Sequence, residues 1–184
     1  VTPNKVACSS DFEHYSDLKK TAIKYHARFL FETNVGAGLP IISTASDLLK
    51  SGDKVNKIEA VLSGTLNFLF NHYDTTIPFQ EVVKRARDEG YTEPDPKIDL
   101  SGIDVQRKIL ILARESGHKL ELDEIINQSF LPSECLEAQT LDELYQLLIE
   151  YEDHFLQLYR KAIDQNKKLK FTALFDKESG YAEI

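Results

Sequence analysis

Apolar side chains recur at helical spacing in several stretches of this chain, and that rhythm sets most of its predicted elements. Phe12, Tyr15, Leu18, Ala22 and Tyr25 predict a helix over about 10–26, with Ser10 or Asp11 as its cap. Arg28 to Thr33 is rich in Phe and Leu and runs into a glycine loop, which predicts a buried strand. Pro40 suits the first turn of a helix reaching about Lys50, and Gly52 stops it. Lys57 to Leu62 alternates as a strand does. A short helix follows Ser63, and Pro78 opens another that ends at Gly90. Val105, Ile109 and Leu112 form the stripe of an amphipathic helix over Ser101 to Ser116. Further helices fall near 122–128 and 140–165, and strands near 168–175 and 181–184 joined by a turn from Lys177 to Gly180. The order predicts an α+β fold, a mixed sheet with helices packed on one face.

Composition narrows the function classes. With 184 residues, of which 42% are hydrophobic, the chain is long enough for a real core and reads as one domain. A net charge of −8 excludes an extended basic face for nucleic acid or an anionic membrane, so small molecules and other subunits are the expected partners. Cys8 and Cys135 supply no disulfide framework, and five scattered histidines supply no zinc motif. Together with the absence of a membrane-length apolar run, this points to a cytoplasmic location. The sequence contains no methionine and reads as an excerpt of a longer protein.

Chemistry concentrates between Gly90 and Lys108, in GYTEPDPKIDLSGIDVQRK. Pro94 and Pro96 bias Glu93 and Asp95 toward extended backbone, which makes a stiffened acidic strip ahead of Asp99. The four-residue step from Asp104 to Lys108 puts a carboxylate beside an ammonium at the edge of the apolar stripe, a setting for proton transfer. The same residues also read as a capping box from Ser101 and an ordinary helical ion pair of about 0.2–0.5 kcal/mol. Two further stretches carry a similar pair of readings. The Glu32 to Leu39 loop joins a carboxylate to glycines that turn carbonyls inward, suited to a hard cation or to a plain tight turn. Gly64 and Thr65 follow a strand and open a helix, suited to a substrate carboxylate or to simple capping at Ser63. Gly36-Ala37-Gly38-Leu39-Pro40-Ile41 has isoleucine where a third dinucleotide-binding glycine belongs, and is rejected as a fingerprint. The helical-spaced Tyr145, Leu148, Tyr151, Phe155 and Leu158 read as core or subunit interface, and Lys84, Arg85 and Arg87 as a solvated face.

Four blocks, VTPNK at Val1 to Lys5, FETNVGAGLPII at Phe31 to Ile42, SGTLNF at Ser63 to Phe68 and the Gly90 to Lys108 stretch, together resemble homoserine dehydrogenase in order and spacing. Similarity is dense through about Arg114 and thinner afterwards, and Ile98 stands where the family usually has an acid. The resemblance implies a substrate-binding, catalytic and dimerisation domain over 1–184, with the nucleotide-binding domain expected ahead of residue 1. It implies interconversion of homoserine and aspartate semialdehyde with NAD or NADP, on the route to threonine and methionine. Lys108 and Lys5 would be catalytic, and Glu93, Asp99, Asp104, Gly64 and Thr65 would bind substrate. Lys5 and Gly38 would approach the cofactor, while Glu32, Val35, Ala37 and Leu39 would hold a monovalent cation such as Na+. A homodimer and a possible fused aspartate kinase are the implied partners. The other reading is a non-catalytic dimerisation or regulatory domain of the same ancestry. Semialdehyde and glyceraldehyde-phosphate dehydrogenases need a cysteine nucleophile, and neither Cys8 nor Cys135 lies in the blocks after the TPNK segment.

Overall fold

The computed structural model describes residues 1–178 and 181–184 and is α+β. In chain order the helices are α1 (Val6–Ser9), α2 (Phe12–Lys24), α3 (Ile41–Lys50), α4 (Gly64–His72), α5 (Phe79–Asp88), α6 (Pro96–Leu100), α7 (Ile103–Glu115), α8 (Ser133–Glu137), α9 (Leu141–Glu150) and α10 (Glu152–Asp164). The strands are β1 (Lys57–Ala60), β2 (Ala173–Asp176) and β3 (Tyr181–Glu183). No helix among the described residues is long and apolar enough to cross a membrane. Two compact units divide the chain: residues 1–62, 105–128 and 172–184 form the first, and 63–104 with 129–171 form the second.

In the first unit β1 pairs antiparallel with β2, Lys57 opposite Asp176, and β2 pairs antiparallel with β3. A parallel bridge from Ile126 to Glu183 makes the pairing mixed, as the sequence suggests. Ile58 of β1 packs against a cluster of Cys8, Tyr15, Phe31, Val35, Ile42, Ile111 and Leu112. Fully burying each of the larger members is worth about 1.5–3 kcal/mol, so this cluster is what fixes α2, α3 and α7 over the sheet. Asp11 caps α2 through the His14 amide at 2.7 Å, one of the two caps predicted.

The second unit is built on aromatic contacts. Phe79 stacks on Phe155 at 4.2 Å and meets Tyr73 edge-on at 5.3 Å. Glu152 accepts from the Tyr73 hydroxyl and from the Phe79 amide, both at 2.8 Å, which satisfies an orphan donor at the start of α5. Leu148 and Phe155 are buried as their helical spacing implies, and Lys84, Arg85 and Arg87 are exposed.

Several predicted elements differ. Arg28 to Thr33 forms no strand: the backbone reaches a 3-10 turn at Glu32–Asn34 instead, and Leu30 is exposed. Apolar content alone could not supply the neighbouring strand that a ladder requires. The segment near 122–128 makes a 3-10 turn at Leu122–Glu124, and α8 lies where no helix was expected. The long helix over 140–165 is two, α9 and α10, meeting at Tyr151. The predicted Lys177 to Gly180 turn lies partly outside the described residues.

Candidate functional site

In the first unit Lys108 sits on α7 at the border of buried Val105, Ile109 and Leu112. Its ammonium donates to the Leu62 carbonyl at 2.6 Å. Asp104 lies one turn earlier on the same helix. Lys5 is the residue before α1, and its carbonyl accepts from the Cys8 and Ser9 amides at 3.0 and 2.9 Å. Ahead of it the Thr2 amide donates to the Leu30 carbonyl at 2.9 Å. Buried Asn34, with its amide turned to satisfy both ends, donates to the Pro3 carbonyl at 2.9 Å and the Thr2 carbonyl at 3.1 Å.

In the Glu32 to Leu39 loop the carboxylate meets backbone amides. Glu32 accepts from the Ile42 amide at 2.8 Å and the Ser43 amide at 2.9 Å. Pro40 makes no side-chain cap for α3, so Glu32 stands in for one across the loop. Gly36 has a φ of +80°, and a Cβ there would come within 2.6 Å of the Ile41 side chain, so the tight turn requires glycine. Ala37 shares the left-handed region at φ 53°. Val35 is buried while Ala37, Gly38 and Leu39 are exposed. With its first amides already given to Glu32, the start of α3 does not fit a dinucleotide pyrophosphate, which agrees with the missing third glycine.

The second unit holds the acidic residues. Ser63 caps α4 by accepting from the Leu66 amide at 3.1 Å, so Gly64 and Thr65 occupy its first turn. Thr65 is buried, and its hydroxyl reaches both the Tyr91 carbonyl and Asp99 Oδ1, the latter at 3.0 Å. Asp99 Oδ2 accepts from the Glu93 amide at 2.8 Å. One carboxylate thus ties the start of α4 to the first residue of the acidic strip. Asp99 is not on an extended loop: the strip ends at Asp95, which caps α6 by accepting from the Lys97 amide at 3.0 Å, and Asp99 lies within that helix. Gly102, with φ 75°, turns the chain between α6 and α7. Glu93 is exposed, Asp104 partly so, and Ile98 is 51% exposed. Among the described residues no group of three or more His, Cys, Asp or Glu side chains gathers as a metal site.

Sequence reasoning missed a buried polar network in the first unit. Arg114, 4% exposed, donates to the Cys8, Ser10 and Leu120 carbonyls at 3.0, 2.7 and 3.0 Å, and to Glu121 at 2.9 Å. Glu115 accepts from Lys19 at 2.9 Å and from the Tyr15 hydroxyl. Burial, helped by Glu115, raises the Tyr15 phenol well above its usual range. Burial likewise pushes the Cys8 thiol up to about 11 and draws Arg114 down, with Glu121 opposing the last shift. The available signal was a charge inside an apolar run, Arg114 after Ile111, Leu112 and Ala113.

Comparison with known proteins adds three findings. A family model described as homoserine dehydrogenase matches residues 40–182. The chain is 40% identical over 186 aligned residues to a chloroplastic bifunctional aspartokinase/homoserine dehydrogenase 2 of Zea mays, covering all of this chain and 20% of that protein. It therefore spans about a fifth of the length of that relative. Among solved structures, a Candida auris protein of unknown function superposes with a TM-score of 0.91 at 37% identity, covering 99% of this chain and 52% of the other. A hyperthermophilic archaeal homoserine dehydrogenase in complex with NADPH shares the fold, with a TM-score of 0.61 at 21% identity over 92% of this chain and 43% of its own.

Proposed function

The chain belongs to the homoserine dehydrogenase family, and on that premise we infer that it is the substrate-binding, catalytic and dimerisation part of an enzyme interconverting homoserine and aspartate semialdehyde. In the reductive direction Lys108 donates a proton to the alkoxide oxygen that develops as the aldehyde carbon is reduced; in oxidation it recovers that proton from the hydroxyl. A nicotinamide cofactor, NAD or NADP, supplies or accepts the hydride when bound by residues outside this chain. Glu93 and Asp104 hold the amino and hydroxyl ends of the substrate. Asp99 braces the Glu93 backbone, and the first-turn amides of Gly64 and Thr65 are directed to the substrate carboxylate. Lys5 orients the carbonyl, and Gly38 lies on the cofactor side. Glu32, with the carbonyls of Val35, Ala37 and Leu39, holds a monovalent cation while it also caps α3. A cytoplasmic homodimer is the assembly this reading expects, and a fused aspartate kinase, which the named plant relative has, is the further partner it leaves open.

The observation that supports this reading best is the ammonium of Lys108, held at the edge of an apolar helix face and 2.6 Å from the Leu62 carbonyl. A long flexible side chain is thereby given one position, as a proton donor requires. The test is homoserine-dependent reduction of NAD and of NADP by the full-length protein, with and without Lys108→Ala. Reduction that needs homoserine and falls in the variant is expected. A full-length protein that reduces neither cofactor overturns the reading.

A further inference from the structure

The helix that carries Lys108 also reaches the backbone of Lys5. We propose that Arg107 and Ser9 are positioning residues that set Lys5 against α7, so that the two lysines keep a fixed relation; this rests on the functional reading above. Arg107, the neighbour of Lys108, donates from Nη1 to the Ser9 hydroxyl at 2.9 Å. Ser9 passes its own hydrogen to the Lys5 carbonyl, also at 2.9 Å. Ser9 is 2% exposed, and its hydroxyl has both its donor and an acceptor lone pair assigned in this relay.

A helical serine that bonds the carbonyl four residues back is by itself ordinary. The circumstances of α1 are not. It has four residues, far too few to overcome the cost of helix nucleation, so bonds from outside must hold its geometry. Asn4 Oδ1 accepts from the Val6 amide at 2.8 Å, and α7 supplies further bonds. Arg107 grips the relay to Lys5, and Arg114, about two turns further on, takes the carbonyls of Cys8 and Ser10. The planar fork of arginine allows one side chain to fix several carbonyls, which a lysine ammonium does with less directional control. Fixing Lys5 from the helix that bears Lys108 makes the spacing of two reacting groups a property of one rigid element. Misplacement by about 1 Å can cost on the order of 100-fold in turnover.

The test uses the full-length protein with Ser9→Ala, Arg107→Met and Arg107→Lys, each also combined with Lys5→Ala. Ser9→Ala and Arg107→Met are expected to lower kcat by about tenfold while KM for homoserine moves less than threefold, a fraction of the ~100-fold ceiling above. Arg107→Lys should recover part of the loss. In the Lys5→Ala background neither relay variant should lower kcat further, which a purely structural role would not predict. Thermal midpoints report folding separately, and Arg107→Met, at a partly exposed site, carries the test if Ser9→Ala fails to fold. Unchanged kcat in both relay variants, or an equal loss with and without Lys5, overturns the relay alone. Unchanged turnover in Lys5→Ala overturns the role of Lys5 and the relay with it, while loss of activity in Lys108→Ala would still stand for the functional reading.

Discussion

Lys5 and Lys108 in the first unit and Glu93 in the second are secured by different means. Lys5 and Lys108 belong to a unit where buried polar side chains, Arg114, Asn34 and Ser9, grip backbone carbonyls. Glu93 belongs to an exposed strip tied to the second unit by the Asp99 bond to its amide, by the Asp95 cap on α6 and by a 3.3 Å bond from Arg87 to the Pro94 carbonyl. On the function proposed above, the contrast answers to two different needs. Groups that move protons work only over short distances and gain from a stiff mount. Groups that capture a small polar substrate gain from a strip that can adjust as it closes on its ligand.

The strongest way to break this comparison is to remove the stiff side. Lys108→Ala in the full-length enzyme should lower kcat by roughly 10²–10⁴, the usual size of a general acid–base contribution. Steady-state kinetics with homoserine would check it, and a loss confined to KM would move Lys108 to the capturing side.

Asp99→Asn probes the adjustable side. The amide has one acceptor end: turned to the Glu93 amide it presents its NH2 to the Thr65 hydroxyl, which keeps the Tyr91 carbonyl, and turned the other way it leaves the Glu93 amide without its partner, so the double tie is weakened either way. KM for homoserine should rise by about tenfold with kcat less affected, the reverse of the Lys108 pattern. A rise in neither parameter would leave the Asp99 tie without bearing on binding.

Glu32→Ala tests whether one carboxylate serves two purposes. Loss of the bonds to Ile42 and Ser43 should cost about 0.5–2 kcal/mol of stability, seen as a lower thermal midpoint. Activation by Na+ should weaken in the same variant. A lower midpoint with unchanged cation dependence would leave Glu32 as a helix cap and nothing more.

The smallest effect concerns the buried thiols. Burial raises Cys8 and Cys135 from 9.0 to about 11, so at pH 8 both are thiols and should alkylate with iodoacetamide far more slowly than in urea. Because the folded state keeps these protons longer than the unfolded chain, the associated stability is present below pH 9 and is lost as pH rises toward 11. Urea midpoints measured from pH 8 to 11 should fall across that window.

Much of this was legible where one local rule dominated. Ser63, Asp11 and the glycine stops marked helix ends because capping depends on a few adjacent residues. The stripe on α7 was visible for the same reason. Arg28 to Thr33 misled because strand character needs a partner that periodicity cannot supply. The break at Tyr151 was hidden because no Pro or Gly announces it, and helical spacing survives the kink. Among site residues, Lys108, Asp104 and Glu93 stood out as charges in an unusual context. Ser9, Arg107 and Arg114 did not, since the bonds that join α1 to α7 span about 100 positions and several end on backbone carbonyls, which no sequence motif records.

The pairing of β1 with β2 has a consequence for how the chain comes to be folded. Lys57 waits for Asp176, and everything from α4 to α10 is synthesised in between. During translation the early half of the sheet has no neighbour, while the second unit, whose two segments are complete by Phe171, can collapse first. Such a long interval between partners slows folding and leaves the ladder groups of β1 unpaired on the nascent chain. A released chain ending at Phe171 should therefore carry a protease-resistant second unit and a first unit that is still cleaved.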